Sequence, residues 1–206
     1  MRNIHFRKNV IIGTVCQNTK LTDKIPSVVH GSYTISSTRI RDLGITPYRV
    51  KGDFAIVYEP DLPNLNGGPN IVEGTYQITD TGIDNLVGLA WWIDSDLVVQ
   101  YNNLSSLQGA PRFIKGDFIC RHNKLTKFEG GPAKVSGKFD CSYNNIESFN
   151  NGPVQVGSFI CKGNPIKSLV GLPKIVDTNF VFTNNDLKVT ESDIRDVCDV
   201  RGHIFL

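Results

Sequence analysis

Residues 118–156 read FICRHNKLTKFEGGPAKVSGKFDCSYNNIESFNNGPVQV, and sliding this stretch along itself by 21 positions lays like on like. Phe118 falls on Phe139, Cys120 on Cys141, Asn123 on Asn144, Leu125 on Ile146, Phe128 on Phe149, Pro132 on Pro153 and Val135 on Val156. A fixed period of this length signals a stack of short units, none of which can bury its apolar face alone.

Worked outward in both directions, the period persists. An aromatic or aliphatic residue opens each unit at Tyr33, Phe54, Tyr76, Leu97, Phe118, Phe139, Phe159 and Phe180, at intervals of 20 to 22. Two residues later come Ile35, Ile56, Ile78, Val99, Cys120, Cys141, Cys161 and Phe182. Apolar residues in alternation predict a short strand in every unit, with both members of the pair inward. Five residues after the opening position stands Asn102, Asn123, Asn144, Asn164 or Asn185, replaced in the earlier units by Thr38, Glu59 and Thr81. Further apolar columns follow, at Leu104, Leu125, Ile146 and Ile166, and at Leu86, Leu107, Phe128 and Phe149. A Gly-Pro turn such as Gly131-Pro132 and a closing Val or Ile such as Val135 complete the unit.

Stacked about 4.8 Å apart, these columns become continuous buried ladders. Asparagine suits the strand-ending column because its amide both donates and accepts, and so satisfies backbone groups that a turn leaves unpaired. Proline with glycine opposes a helix on the return side, which predicts an extended or irregular back face. The fold expected is a mainly β solenoid of about eight 21-residue repeats with parallel strands.

The unit Val156, Phe159, Cys161, Asn164, Ile166 carries the spacing L-x-x-L-x-L-x-x-N-x-L, with cysteine at the third apolar place. This resembles short bacterial leucine-rich repeats. The fuller unit from Phe118 to Pro132 is similar to leucine-rich-repeat-like arrays common among bacterial and bacteriophage proteins. The resemblance spans roughly Val28 to Leu187, and is degenerate before Leu97, where Glu59-Pro60 and Thr81-Gly82 replace the asparagine region. It implies a curved solenoid that binds proteins, without naming the partner.

Terminal units need caps to cover the core. The solenoid proper is assigned to residues 28–187, an N-terminal cap to 1–27 and a C-terminal cap to 188–206. At the C-terminal end Thr190 or Ser192 is placed to N-cap a short helix with Ile194, Val197 and Cys198 on one face. Arg201-Gly202 would end it, and His203 to Leu206 would return as a strand. At the other end Val10 to Val15 reads as a strand, followed by a shortened unit containing Leu21 and Pro26. The apolar run Val10 to Cys16 follows Arg2, Arg7 and Lys8 but lacks a small-x-small cleavage site, so a buried strand is preferred to a signal peptide.

The 206 residues carry 22 Lys and Arg against 20 Asp and Glu, a balance that argues against nucleic acid as a partner unless a local patch meets it. No apolar run is long enough to span a bilayer. Five cysteines, three of them in one column, suit buried free thiols in a reducing compartment and a cytoplasmic location, the host's if the protein is viral. The alignment of Cys120, Cys141 and Cys161 invites a metal reading, but they replace aliphatic residues of other units and no C-x-x-C pair occurs, so neither metal nor other cofactor is expected. No nucleophile elbow or phosphate-binding loop is present, and Asp53, Asp96 and Asp117 read as solvated residues ahead of the strands, so the expectation is a non-enzymatic protein.

Strand parity supplies the functional candidate. With Phe118 and Cys120 inward, Ile119 and Arg121 face the opposite, concave side, together with Val98, Gln100, Asp140, Ser142, Ile160, Lys162, Val181 and Thr183. Tyr58, Tyr101, His122 and Tyr143 follow just beyond the strands. The residues assigned to partner binding are Tyr101, Ile119, Arg121, His122, Tyr143, Ile160 and Lys162, apolar groups rimmed by polar ones as in a protein interface. Of Trp91 and Trp92, one ring is expected in the core between units. Two further classes stay open: a structural or virion protein that self-associates, and a nucleic-acid or glycan binder using Arg121, Lys124, Lys162 and the tyrosines.

Overall fold

The computed structural model describes residues 10–11, 15–17, 27–37, 39–44 and 46–206. Each turn of the chain contributes two short parallel segments, one at the opening position and one at the closing position, separated by a tight corner. The N-terminal turns hold β1 (Val10–Ile11), β2 (Val15–Gln17), β3 (Val28–Val29), β4 (Tyr33–Ser36), β5 (Arg49–Val50), β6 (Phe54–Glu59), β7 (Ile71–Val72) and β8 (Tyr76–Thr81). Then come β9 (Trp92–Ile93), β10 (Leu97–Val98), β11 (Phe113–Ile114), β12 (Phe118–Ile119), β13 (Lys134–Asp140) and β14 (Gln155–Lys162). The last turns hold β15 (Ile175–Val176), β16 (Phe180–Thr183), α1 (Glu191–Arg195), β17 (Asp199–Val200) and β18 (Ile204–Phe205).

All pairings are parallel and join equivalent positions of successive turns. The opening ladder runs Val15, Tyr33, Phe54, Tyr76, Leu97, Phe118, Phe139, Phe159, Phe180, Ile204. The molecule is a parallel β-solenoid of about eight turns with a spacing near 21 residues and almost no helix, as the repeat predicts. Tyr33 to Phe180 of this ladder are wholly buried, as are Ile56, Ile78, Val99 and the three cysteines two places on. Aromatic rings carry the core from turn to turn: Phe118 stacks on Phe139 with centroids 5.5 Å apart, and Phe159 on Phe180 at 5.1 Å.

The asparagine column acts as anticipated. Asn144 donates from Nδ2 to the carbonyl of Cys120 at 3.1 Å, in the turn before, while its Oδ1 accepts from the Leu125 backbone N–H at 3.0 Å. Asn102, Asn123, Asn164 and Asn185 make the equivalent pair of links to their own preceding turns. Glu59 fills the same buried place and accepts from the Ile40 N–H at 3.0 Å, whereas Thr38 lies outside the described residues.

A second hydrogen-bonded column emerges at the corner. Asp53, Asp96 and Asp117 do more than meet solvent: their Oδ1 atoms accept from the backbone N–H groups of Thr75, Asp117 and Lys138, at 2.7 to 2.8 Å. The bend beside them is so close that a Cβ on Gly137 would sit 2.7 Å from the backbone of Gly116. Between β13 and β14 the register shifts by one residue at this corner, which absorbs the single 20-residue interval from Phe139 to Phe159.

The ends differ from the sequence expectation in detail. Of the strand expected from Val10 to Val15, the described residues hold β1 and the start of β2, and residues 12–14 lie outside them; β1 pairs with β3 and β2 with β4, so both ladders continue into this segment. Leu21 and Pro26 lie outside the described residues. At the other end Thr190 is the N-cap, in a capping box with Asp193. The helix stops at Arg195 and buries Ile194; Cys198 is also buried, but Val197 falls beyond the helix and is exposed. The chain then forms β17 as well as the expected return strand, because closing and opening ladders both extend through this turn. Among the described residues no helix is long and apolar enough to cross a membrane.

Candidate partner-binding surface

The residue just before the asparagine column has a left-handed backbone in each of eight turns: Ser37, Tyr58, Asp80, Tyr101, His122, Tyr143, Gly163 and Asn184, with φ from 54° to 60°. This turn of the backbone bends the chain and swings the following side chain into the core. Asn, Asp and Gly adopt the conformation readily, while a bulky side chain there costs on the order of 1 kcal/mol or more. Tyr58, Tyr101 and Tyr143 are therefore the strained choice at a site where other turns use residues such as Asp, Asn, Gly or His that adopt it more readily.

The solenoid repeat piles these rings directly over one another. Tyr101 and His122 stack with centroids 4.4 Å apart and planes 10° from parallel, and His122 and Tyr143 stack at 4.6 Å and 14°. The column ends on Gly163, where an added Cβ would lie 2.7 Å from Cδ1 of Tyr143. Stacked rings contribute about 0.5–1.5 kcal/mol per pair, enough to offset much of the backbone strain. Tyr101 and Tyr143 remain exposed, so the ladder presents its ring edges outward as a row of alternating phenol, imidazole and phenol.

The other assigned residues reach the same outer face in adjacent columns. Ile119 and Ile160 are partly exposed and lie on either side of Asp140 in the strand register. Arg121 is fixed laterally, its Nε donating to Oε1 of Gln100 at 2.7 Å, and Lys162 stands two turns further along. Two neighbours do not behave as parity suggests. Asp140 and Ser142 are buried rather than open to solvent: Asp140 Oδ1 accepts from the Ser142 N–H at 3.0 Å, and Ser142 Oγ accepts from the Lys162 N–H at 3.1 Å. Short side chains flanked by longer ones on both sides of a closely spaced ladder are covered by them and turn to the backbone for partners.

A second surface was not anticipated. Both Trp91 and Trp92 lie outside the core, 63% and 44% exposed, with Phe113 beside them at 66%. Core positions in that turn go to Ala90, which occupies the proline column, and to Ile93. Column arithmetic holds the signal: Trp92 pairs in register with Ile71, on the strand face opposite Val72, so the outward direction was written in the period.

Cys120, Cys141, Cys161 and Cys198 point inward. Burial pushes the Cys120 and Cys141 thiols well above the usual range, Cys141 also through its contact with Cys161, and pushes Cys198 up to about 11. These thiols are held neutral and out of reach of solvent. Compared with protein-family models, with curated proteins and with solved structures, the chain matches none.

Proposed function

We propose that the protein is a non-enzymatic binding module that recognises another protein through the outer face of its opening ladder, with Tyr101, His122 and Tyr143 at the centre and Ile119, Arg121, Ile160 and Lys162 around them. One observation carries this reading: three bulky rings occupy left-handed positions and form an exposed stack, where Ser, Asp, Gly or Asn serves in other turns. Strain retained at the surface, where packing of the core does not demand it, marks a place where the side chain is needed for something outside the fold. Tyrosine and arginine are also the residues enriched in protein interfaces.

The asparagine column and the Val156-to-Ile166 spacing support a leucine-rich-repeat-like class for the stack, and with it the reading of a bacterial or bacteriophage protein directed at a host protein. Buried free thiols support a reducing, cytoplasmic setting. Immobilised protein is expected to retain a defined partner from lysate, and the combined change Tyr101→Asn, His122→Asn and Tyr143→Asn, which suits the backbone conformation, is expected to release it while the fold persists. Retention undiminished by that variant would remove the proposed face.

A second reading is self-association. At the C-terminal end of the described stack β17 pairs only with β15 and β18 only with β16, and Phe205 is half exposed beside that edge. Unpaired strand edges are templates for another chain.

A further inference from the structure

We propose that the outer face of the closing ladder around Trp91, Trp92 and Phe113 is a docking site for an acidic peptide segment that carries apolar side chains. The site lies on a different ladder from the Tyr101–His122–Tyr143 stack, and extends the protein-binding reading to a second surface.

Three independent irregularities of the repeat coincide here. The proline of the return turn is replaced by Ala90. The closing ladder is interrupted, since β9 pairs back to β7 and β11 forward to β13, with no pairing between β9 and β11. And the residues flanking the interruption are large exposed aromatics, the two indoles in edge contact at 6.3 Å. Three lapses gathered beside exposed aromatics indicate a demand other than folding.

Charge identifies the occupant. The acidic groups of this part of the face are already engaged: Glu73 pairs with Arg49, and Asp94 with Lys115, whose ammonium also lies 4.9 Å above the Trp92 ring. Arg112, next to Phe113 in the chain, and Lys134, its register partner in the following turn, have no acidic partner among the described residues. The charge left over beside the aromatics is thus positive, on a molecule whose net formal charge is only +2. Exposed aromatic rings take apolar side chains, and the spare cations take carboxylates. A nucleic acid or an anionic lipid surface fits less well, because the two spare cations, Arg112 and Lys134, are too few to hold a continuous run of phosphates.

Trp91 and Trp92 are the chain's two tryptophans, so emission excited where tyrosine does not absorb reports on this face alone. The probe is a synthetic peptide alternating glutamate with leucine and free of tryptophan and tyrosine, so that its own emission does not interfere. A saturable shift in the emission is expected, weakening as salt rises, since about 0.1 M salt screens exposed charges beyond about 10 Å. Arg112→Glu combined with Lys134→Glu is expected to weaken it about tenfold or more, and Phe113→Ser to weaken it without charge change. Circular dichroism confirms that each variant is folded; should the double variant not fold, Arg112→Glu alone, at an exposed position, is read instead. The proposal is overturned by the absence of a saturable shift, by an equal response to the matching lysine peptide, or by affinity unchanged on charge reversal. Tighter binding of oligothymidylate, or of phosphatidylcholine vesicles containing phosphatidylserine, overturns it as well. Variants at Tyr101, His122 and Tyr143 are expected to leave the signal intact, so its failure and that of the first surface are separable.

Discussion

Tyr58 and Asn144 show how one residue can be chosen against the fold or for it. Tyr58 is exposed at φ 60°, and among the described residues no ring stacks on it, so its strain has no local return. Tyr58→Asn is expected to raise stability by about 1 kcal/mol in chemical denaturation. Asn144, by contrast, sits between two turns with its amide fully bonded, to Cys120, Cys141 and Ser142 carbonyls and the Leu125 N–H. Asn144→Ala in the same measurement is expected to cost about 2–4 kcal/mol, because buried backbone groups on both turns lose their partner. The asparagine was legible from the sequence, since its donor and acceptor are fixed by its chemistry. The strain at Tyr58 was not, because a backbone dihedral leaves no mark in composition.

The cysteine column belongs to the scale of the element. Cys120 and Cys141 replace aliphatic residues on the opening strands, and their thiols are buried in the core with pKa values raised by the loss of water. In the unfolded chain the same thiols ionise near pH 8.5. The sign follows from linkage: the contribution is fully present below that pH, and is lost as pH rises toward the higher folded values, because the unfolded state releases protons first. Each such thiol steepens the decline by about 1.4 kcal/mol per pH unit. Thermal melts taken from about pH 8 to about pH 10 are expected to show this fall, and Cys120→Val with Cys141→Val, matching Val99 of the same column, to make it shallower. Alternation told which strand residues face inward, and placed these thiols correctly. It failed for Asp140 and Ser142, where parity gives a direction but burial depends on the length of neighbours from other turns.

For the whole molecule, every inner turn is covered by two neighbours, and the last described turn by one. Its interior is closed by Ile194 and Cys198, and among the described residues β17 and β18 each pair on one side. Sedimentation is therefore expected to show association growing with concentration, and Phe205→Lys to suppress it; a strict monomer at high concentration would retire the self-association reading. The sequence by itself determined the period, the ladder of apolar residues, the asparagine links and the helical cap, because each rests on residue chemistry recurring at fixed intervals. Only the tertiary structure decided that Tyr101, His122 and Tyr143 stack in contact, and that the closing ladder breaks between Trp92 and Phe113. These depend on backbone angles and on contacts between residues about 21 positions apart, which come into being only when one turn is laid upon the next.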